Sequence, residues 1–131
     1  MRYLFDTNVF LWHLGAKEKL NAEALKLLSN PGTEIYLSAA SSWEISIKHA
    51  LGKLVLPKPP AQLVLDEVRQ MGFANLDISS LHAFSAGELP VHHKDPFDRL
   101  LIAQAQIEGM SLLTADRAFA LYDVKIFVCA K

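Results

Sequence analysis

The chain has 131 residues, 51% of them apolar and 21% charged, with a formal net charge of −1. Such a length suits one domain over residues 1–131, since domains commonly run about 100–150 residues, and the apolar content excludes intrinsic disorder. The near-neutral balance excludes a broad basic surface for constitutive nucleic-acid binding, and a lone cysteine, Cys129, excludes an internal disulfide or a thiolate metal cluster.

No apolar run reaches the roughly 18 residues of a membrane span or follows a charged leader, so a cytoplasmic protein with no membrane partner is expected. Arg2-Tyr3-Leu4-Phe5 is too short for a helix and rich in aromatics, which predicts a buried strand ending at Asp6. A helix from Thr7 to about Leu14 follows, closed by Gly15. Asn21 caps a second helix with Ala24, Leu25, Leu27 and Leu28 on its apolar face, broken at Asn30-Pro31-Gly32. Glu34 to Leu37 reads as a strand. Ser38 then caps a helix from Ala39 to Leu51, in which Trp43, Ile47, Ala50 and Leu51 form the expected apolar stripe and Glu44 lies beside it.

After a proline-containing connection, the pattern predicts a helix from Pro60 to Met71, a strand over Ala74–Ile78 and a short helix capped by Ser79 that carries His82 and Phe84. Residues 87–94 form a loop made locally basic by His92, His93 and Lys94. Asp95 is a good N-cap, Pro96 fits the first helical position, and the helix runs to about Glu108 before Gly109. Asp98 shares the face of Leu101, Ile102 and Ala105, so it is in line with the inward stripe. Ser111 to Thr114 is a buried strand with Asp116 just past its end, and Val124 to Val128 closes the chain as a strand. Alternating strands and helices imply a three-layer α/β/α domain with a central, mainly parallel sheet.

Each acid has a structural reading. Asp6 and Asp116 suit helix or turn caps, Glu44 can pair with Lys48 one turn on, and Asp98 favours the positive helix end. The topology nevertheless brings Asp6, Glu44, Asp98 and Asp116 to one edge of the sheet, where open α/β folds bind ligands. Carboxylates gathered there repel one another unless a hard cation neutralises them, and oxygen-only donors favour Mg²⁺ or Mn²⁺ over zinc. Such a site suits metal-assisted hydrolysis of a phosphodiester.

Leu4-Phe5-Asp6-Thr7-Asn8-Val9-Phe10-Leu11-Trp12, Ser41-Ser42-Trp43-Glu44-Ile45-Ser46-Ile47-Lys48, Gly52-Lys53-Leu54, Asp95-Pro96-Phe97-Asp98-Arg99 and Leu113-Thr114-Ala115-Asp116 together resemble a PIN-domain protein. In order and spacing they are most similar to VapC-type toxins of bacterial type II toxin-antitoxin pairs, over essentially the whole chain. The resemblance implies a PIN-like fold and a Mg²⁺- or Mn²⁺-dependent endoribonuclease. Asp6, Glu44, Asp98 and Asp116 would be its acidic quartet, with Asp6 and Asp98 as direct ligands. Thr7, Asn8 and Thr114 would orient carboxylates or waters, Asp95 would support from outside the quartet, and Arg99 or Lys48 would touch RNA phosphate. Many relatives carry a further acid where this chain has Ala118, which bears on a second metal site. The resemblance also implies a homodimer and a cognate antitoxin seated in a groove, for which the helices over Val9–Leu14 and Ala24–Leu28 are candidates. Two other readings start from the same residues. A haloacid-dehalogenase-like phosphatase would use Asp6 as nucleophile but usually has a second aspartate where Asn8 stands, and a non-catalytic interaction domain would leave the acids scattered.

Overall fold

Side chains alternate across β1 (Arg2–Phe5): Tyr3 and Phe5 enter one apolar core and Leu4 enters another. The same alternation divides Ile35 and Leu37 from Tyr36 on β2 (Glu34–Ser38), and Leu113 from Leu112 on β4 (Ser111–Thr114). A sheet apolar on both faces must be covered on both, so the strands dictate three layers. The computed structural model describes residues 1–131 and has this architecture. Its five strands, with β3 (Ala74–Leu76) and β5 (Ile126–Val128), run in the order β3-β2-β1-β4-β5, every neighbouring pair parallel.

The larger core joins α1 (Thr7–Gly15), α2 (Ala22–Leu28) and α4 (Pro60–Met71) to the sheet. Phe5 is its hub, edge to face with Phe10 and Phe73 at ring separations of 5.2 and 5.0 Å. The smaller core lies under α6 (Pro96–Glu108), against which α5 (Ser80–Glu88) packs. α3 (Ala39–Ala50) contributes to both cores, Ile45 to the first and Ala40 to the second. Gly72 and Gly109 end α4 and α6 in the left-handed region, at φ 72° and 68°, where a side chain would be strained.

Two expectations need correction. Trp43 and Leu51 do not lie on a buried stripe of α3: they are 60% and 63% exposed, and the inward residues are Ala40, Ser41, Glu44 and Ile45. Helix α3 turns polar residues inward because its start faces the carboxyl edge of the sheet. In the helices over Val9–Leu14 and Ala24–Leu28, Val9, Phe10 and Ala24 are fully buried, Leu11, Trp12, Leu14 and Leu27 are half-buried, and Leu25 and Lys26 are exposed. The strand expected over Ala74–Ile78 stops at Leu76, because beyond it only Ser38 is left on β2 to pair with Leu76 itself. No helix is long and apolar enough to cross a membrane.

Candidate active site

The chain builds outward from β1 to β2 and β3, then crosses back to add β4 and β5 on the other side. The reversal falls between β1 and β4, and the crevice beyond their carboxyl ends is the natural ligand position of such a sheet. Asp6 and Asp116 follow these two strands, while Glu44 and Asp98 lie in the first half of α3 and the first turn of α6.

Asp6 is 5% exposed and does not cap α1 with its side chain. Its backbone continues the ladder by donating to the Leu113 carbonyl, and its Oδ2 accepts the Thr114 hydroxyl at 2.8 Å. Burial pushes its pKa from 3.8 up to about 6; the Thr114 hydrogen bond opposes this, Glu44 adds to it, the Asn8 amide opposes it and Asp116 adds to it. Asp98 rises further, to about 7, through burial and then the charges of Asp95, Asp6, Glu44 and Asp116. Asp6 and Asp98 therefore both feel Glu44 and Asp116, so the four acids share one electrostatic environment.

Asp95 is the N-cap of α6, its Oδ1 accepting the Phe97 and Asp98 amides at 2.8 and 3.3 Å. The cap fixes the first turn and so the direction of Asp98, whose helix neighbours Leu101, Ile102 and Ala105 are buried as expected. Glu44 is 5% exposed; its Oε2 accepts Lys48 Nζ at 2.6 Å, while its Oε1 is buried with no partner. That bond raises the pKa of Lys48. Asp116 is half-exposed and accepts the Ala118 amide through Oδ1, while its own amide donates to Thr114 Oγ1 at 3.0 Å. Thr7 is buried against Ser41, their hydroxyls 2.8 Å apart, and Asn8 is exposed.

Two residues considered for RNA contact are engaged elsewhere. Lys48 is held by Glu44, and the Arg99 guanidinium donates to the carbonyls of Gly87, Leu89, Pro90 and His93 at 3.4, 2.8, 3.1 and 3.1 Å. Arg99 therefore shapes the loop before α6. Sequence reasoning passed over Ser41 and His93. Ser41 is one turn before Ile45 on the inward face of α3, and His93 Nε2 approaches Asp116 Oδ2 at 3.4 Å. Repeated small hydroxyl residues at the start of α3 were the available signal for the first; the second depends on the loop path that Arg99 sets.

No three His, Cys, Asp or Glu side chains close into a coordination cage. The carboxylate oxygens are instead tied individually to Thr114, Lys48 and the Ala118 amide. Cys129 is buried behind the site, its amide donating to the Thr114 carbonyl and its thiol pushed up to about 12 by burial and then by the Asp6 charge.

The chain is similar to several known proteins. Ribonuclease VapC16 of Mycobacterium tuberculosis (strain ATCC 25618 / H37Rv) is 40% identical over 60 residues, covering 46% of this chain. That match spans 43% of the relative's own length, less than half. Among solved structures, VapBC2 from Rickettsia felis, bound to a DNA fragment from its promoter, superposes with a TM-score of 0.75 at 18% identity, over 98% of this chain and 99% of that one. DNA-bound VapBC from Salmonella typhimurium gives a TM-score of 0.67 at 17% identity, over 98% of both chains. The PIN domain model matches residues 3–125, which includes β1 from Tyr3 on, β2, β3, β4 and all of the acids above. The chain belongs to the PIN domain family.

Proposed function

We propose that this chain is a divalent-cation-dependent endoribonuclease and the toxin of a toxin-antitoxin pair. The observation that carries the reading is the burial of Asp6 and Glu44, each 5% exposed and with Glu44 Oε1 unpartnered, at the sheet switch point, where burial and neighbouring acids push Asp6 and Asp98 up to about 6 and 7. A fold has little reason to bury mutually repelling carboxylates at its ligand-binding edge unless a cation relieves them. The similarity to a ribonuclease and to toxin-antitoxin complexes supports the choice of RNA and of a protein partner.

The donor set fits a hard cation. All candidate ligands are carboxylate oxygens, and Glu44 Oε1 is buried without a partner. Asp6, Asp98 and Asp116, with Glu44, would hold Mg²⁺ or Mn²⁺, and because they do not already form a cage, side-chain rotation must complete it. When bound, the cation lowers the pKa of an attacking water and offsets charge on the phosphodiester. The chain's own residues prepare that chemistry. Thr114 holds Oδ2 of Asp6, leaving Oδ1 free of that bond, and Lys48 donates to one oxygen of Glu44. The Asp95 cap fixes the turn carrying Asp98, and the Thr7–Ser41 pair joins the starts of α1 and α3 beneath the acids. The backbone of Ala118 serves Asp116 where many relatives supply another acid, which favours a single cation.

Incubation of the purified chain with labelled RNA, with Mg²⁺ or Mn²⁺ and with EDTA, tests the reading. Internal cleavage that requires the cation is expected. For the toxin role, expression alone should arrest growth, and co-expression of the protein encoded by the adjacent reading frame should relieve the arrest; release of phosphate from small phosphomonoesters without RNA cleavage would overturn the assignment.

A further inference from the structure

Two aromatic side chains stand beside the acids and outside both cores. Trp43 precedes Glu44 on α3, and Phe97 precedes Asp98 on α6. Their rings meet edge to face, 5.4 Å between centroids at 75°. The indole is nevertheless 60% exposed. Consecutive Cα atoms are about 3.8 Å apart, so each ring begins one backbone step from a carboxylate of the candidate site.

Other exposed apolar residues, such as Val55 and Phe84, carry no such relationship, and single exposed apolar side chains are ordinary on protein surfaces. Trp43 differs in two respects. It is braced by a second ring, which limits its rotation without covering it. It also borders a site where two nearby cations are engaged, Lys48 by Glu44 and Arg99 by main-chain carbonyls, which leaves Lys94 and Arg117 as the exposed cations next to the acids. The chain as a whole carries a net charge of −1. Affinity for RNA near the acids can then draw on a source besides phosphate pairing. An aromatic face that stacks on an unpaired base supplies it without charge.

We propose that Trp43, braced by Phe97, is a stacking platform for an unpaired base of the RNA next to the phosphate to be cleaved. The proposal rests on the reading of the chain as a ribonuclease. It makes the preferred substrate a loop or single strand, because a paired base has no free face to offer.

The test uses the two tryptophans of the chain. In a Trp12→Phe, Asp6→Asn background, Trp43 is the sole indole and cleavage is blocked. A single-stranded oligoribonucleotide should quench its emission, and a blunt RNA duplex of equal length should not. In the otherwise unaltered chain with Mg²⁺ or Mn²⁺, Trp43→Ala should raise KM about tenfold or more with kcat changed less than about threefold, and Trp43→Phe should recover most of the loss. Melting curves check that the substitutions leave the fold intact. Cleavage with an unchanged KM and no quenching overturns the platform and leaves the ribonuclease reading standing. Failure of the unaltered chain to cleave RNA overturns that reading and the platform with it. Dissociation of a dimer by Trp43→Ala, seen by sedimentation, would assign the indole to an interface between copies and overturn the proposal.

Discussion

Thr114 donates its hydroxyl to Oδ2 of Asp6 at 2.8 Å, across 108 residues of sequence, and the Thr114 Oγ1 accepts the backbone amide of Asp116. One side chain on β4 thus ties the acid that follows β1 to the acid that follows β4. The bond also works against the burial that raises the Asp6 pKa.

Thr114→Val keeps the shape and removes the hydroxyl. It should destabilise the fold by about 1–2 kcal/mol, since buried Asp6 loses a donor, and lower RNA cleavage by about 10- to 100-fold through misorientation of the acids. Urea unfolding and cleavage assays check both. Thr114→Ser should retain most of the activity.

In the absence of cation, Asp6 and Asp98 hold their protons to about 6 and 7, against an ordinary 3.8. Between the unfolded and folded values the native chain binds more protons than the unfolded one, so these acids make stability fall as pH rises. The stability advantage of Asp6→Asn over the unaltered chain should be small near about pH 4 and grow to about 2–3 kcal/mol by about pH 7.5. His13, lowered by burial, has the opposite slope, and subtracting the two curves removes it. An advantage that does not grow with pH would contradict the charge conflict.

A cation must displace those protons. The concentration of Mg²⁺ or Mn²⁺ that half-stabilises the protein against heat should therefore fall as pH rises from about 5.5 to about 8. In Asp98→Asn both the stabilisation and its pH dependence should be strongly reduced. Thermal melts across a cation titration provide the measurement.

Arg99→Ala should cost about 2 kcal/mol, because the Gly87, Leu89 and His93 carbonyls lose the guanidinium and Pro90 keeps only the Tyr122 hydroxyl, and should slow cleavage by loosening the approach to Asp95 and Asp98. Arg99→Lys should not restore either, since an ammonium cannot span the same carbonyls. The salt dependence of RNA binding should stay the same. A slope reduced by one phosphate contact would return Arg99 to the RNA interface.

How far the sequence could be read depended on whether a residue's role was local. The β1 strand, the Asn21, Ser38 and Asp95 caps and the glycine stops of α4 and α6 rest on short-range chemistry, and the structure has them where the pattern predicts. The buried face of α3 was obscured for the opposite reason. Its inward residues include Ser41 and Glu44, while the apolar Trp43 and Leu51 face solvent, so hydrophobic periodicity pointed to the wrong side. Gln104 is another such case: it is fully buried on α6, where it accepts from Ser38 and donates to the Asp77 carbonyl, partners far away in sequence. The acids themselves were visible as residues at strand ends and helix starts. Their shared field depends on the β3-β2-β1-β4-β5 order, which only the folded chain displays.

The most direct test of the central claim is RNA cleavage by Asp6→Asn beside the unaltered chain, in Mg²⁺ or Mn²⁺, with circular dichroism to confirm an intact fold. Asparagine preserves the shape and the acceptor for Thr114 but removes the charge that a cation needs. The account predicts cation-dependent cleavage by the unaltered chain and a loss of at least about a thousandfold in a folded Asp6→Asn variant, a change of about 4 kcal/mol in the barrier. Cleavage retained within a few-fold by Asp6→Asn would contradict it.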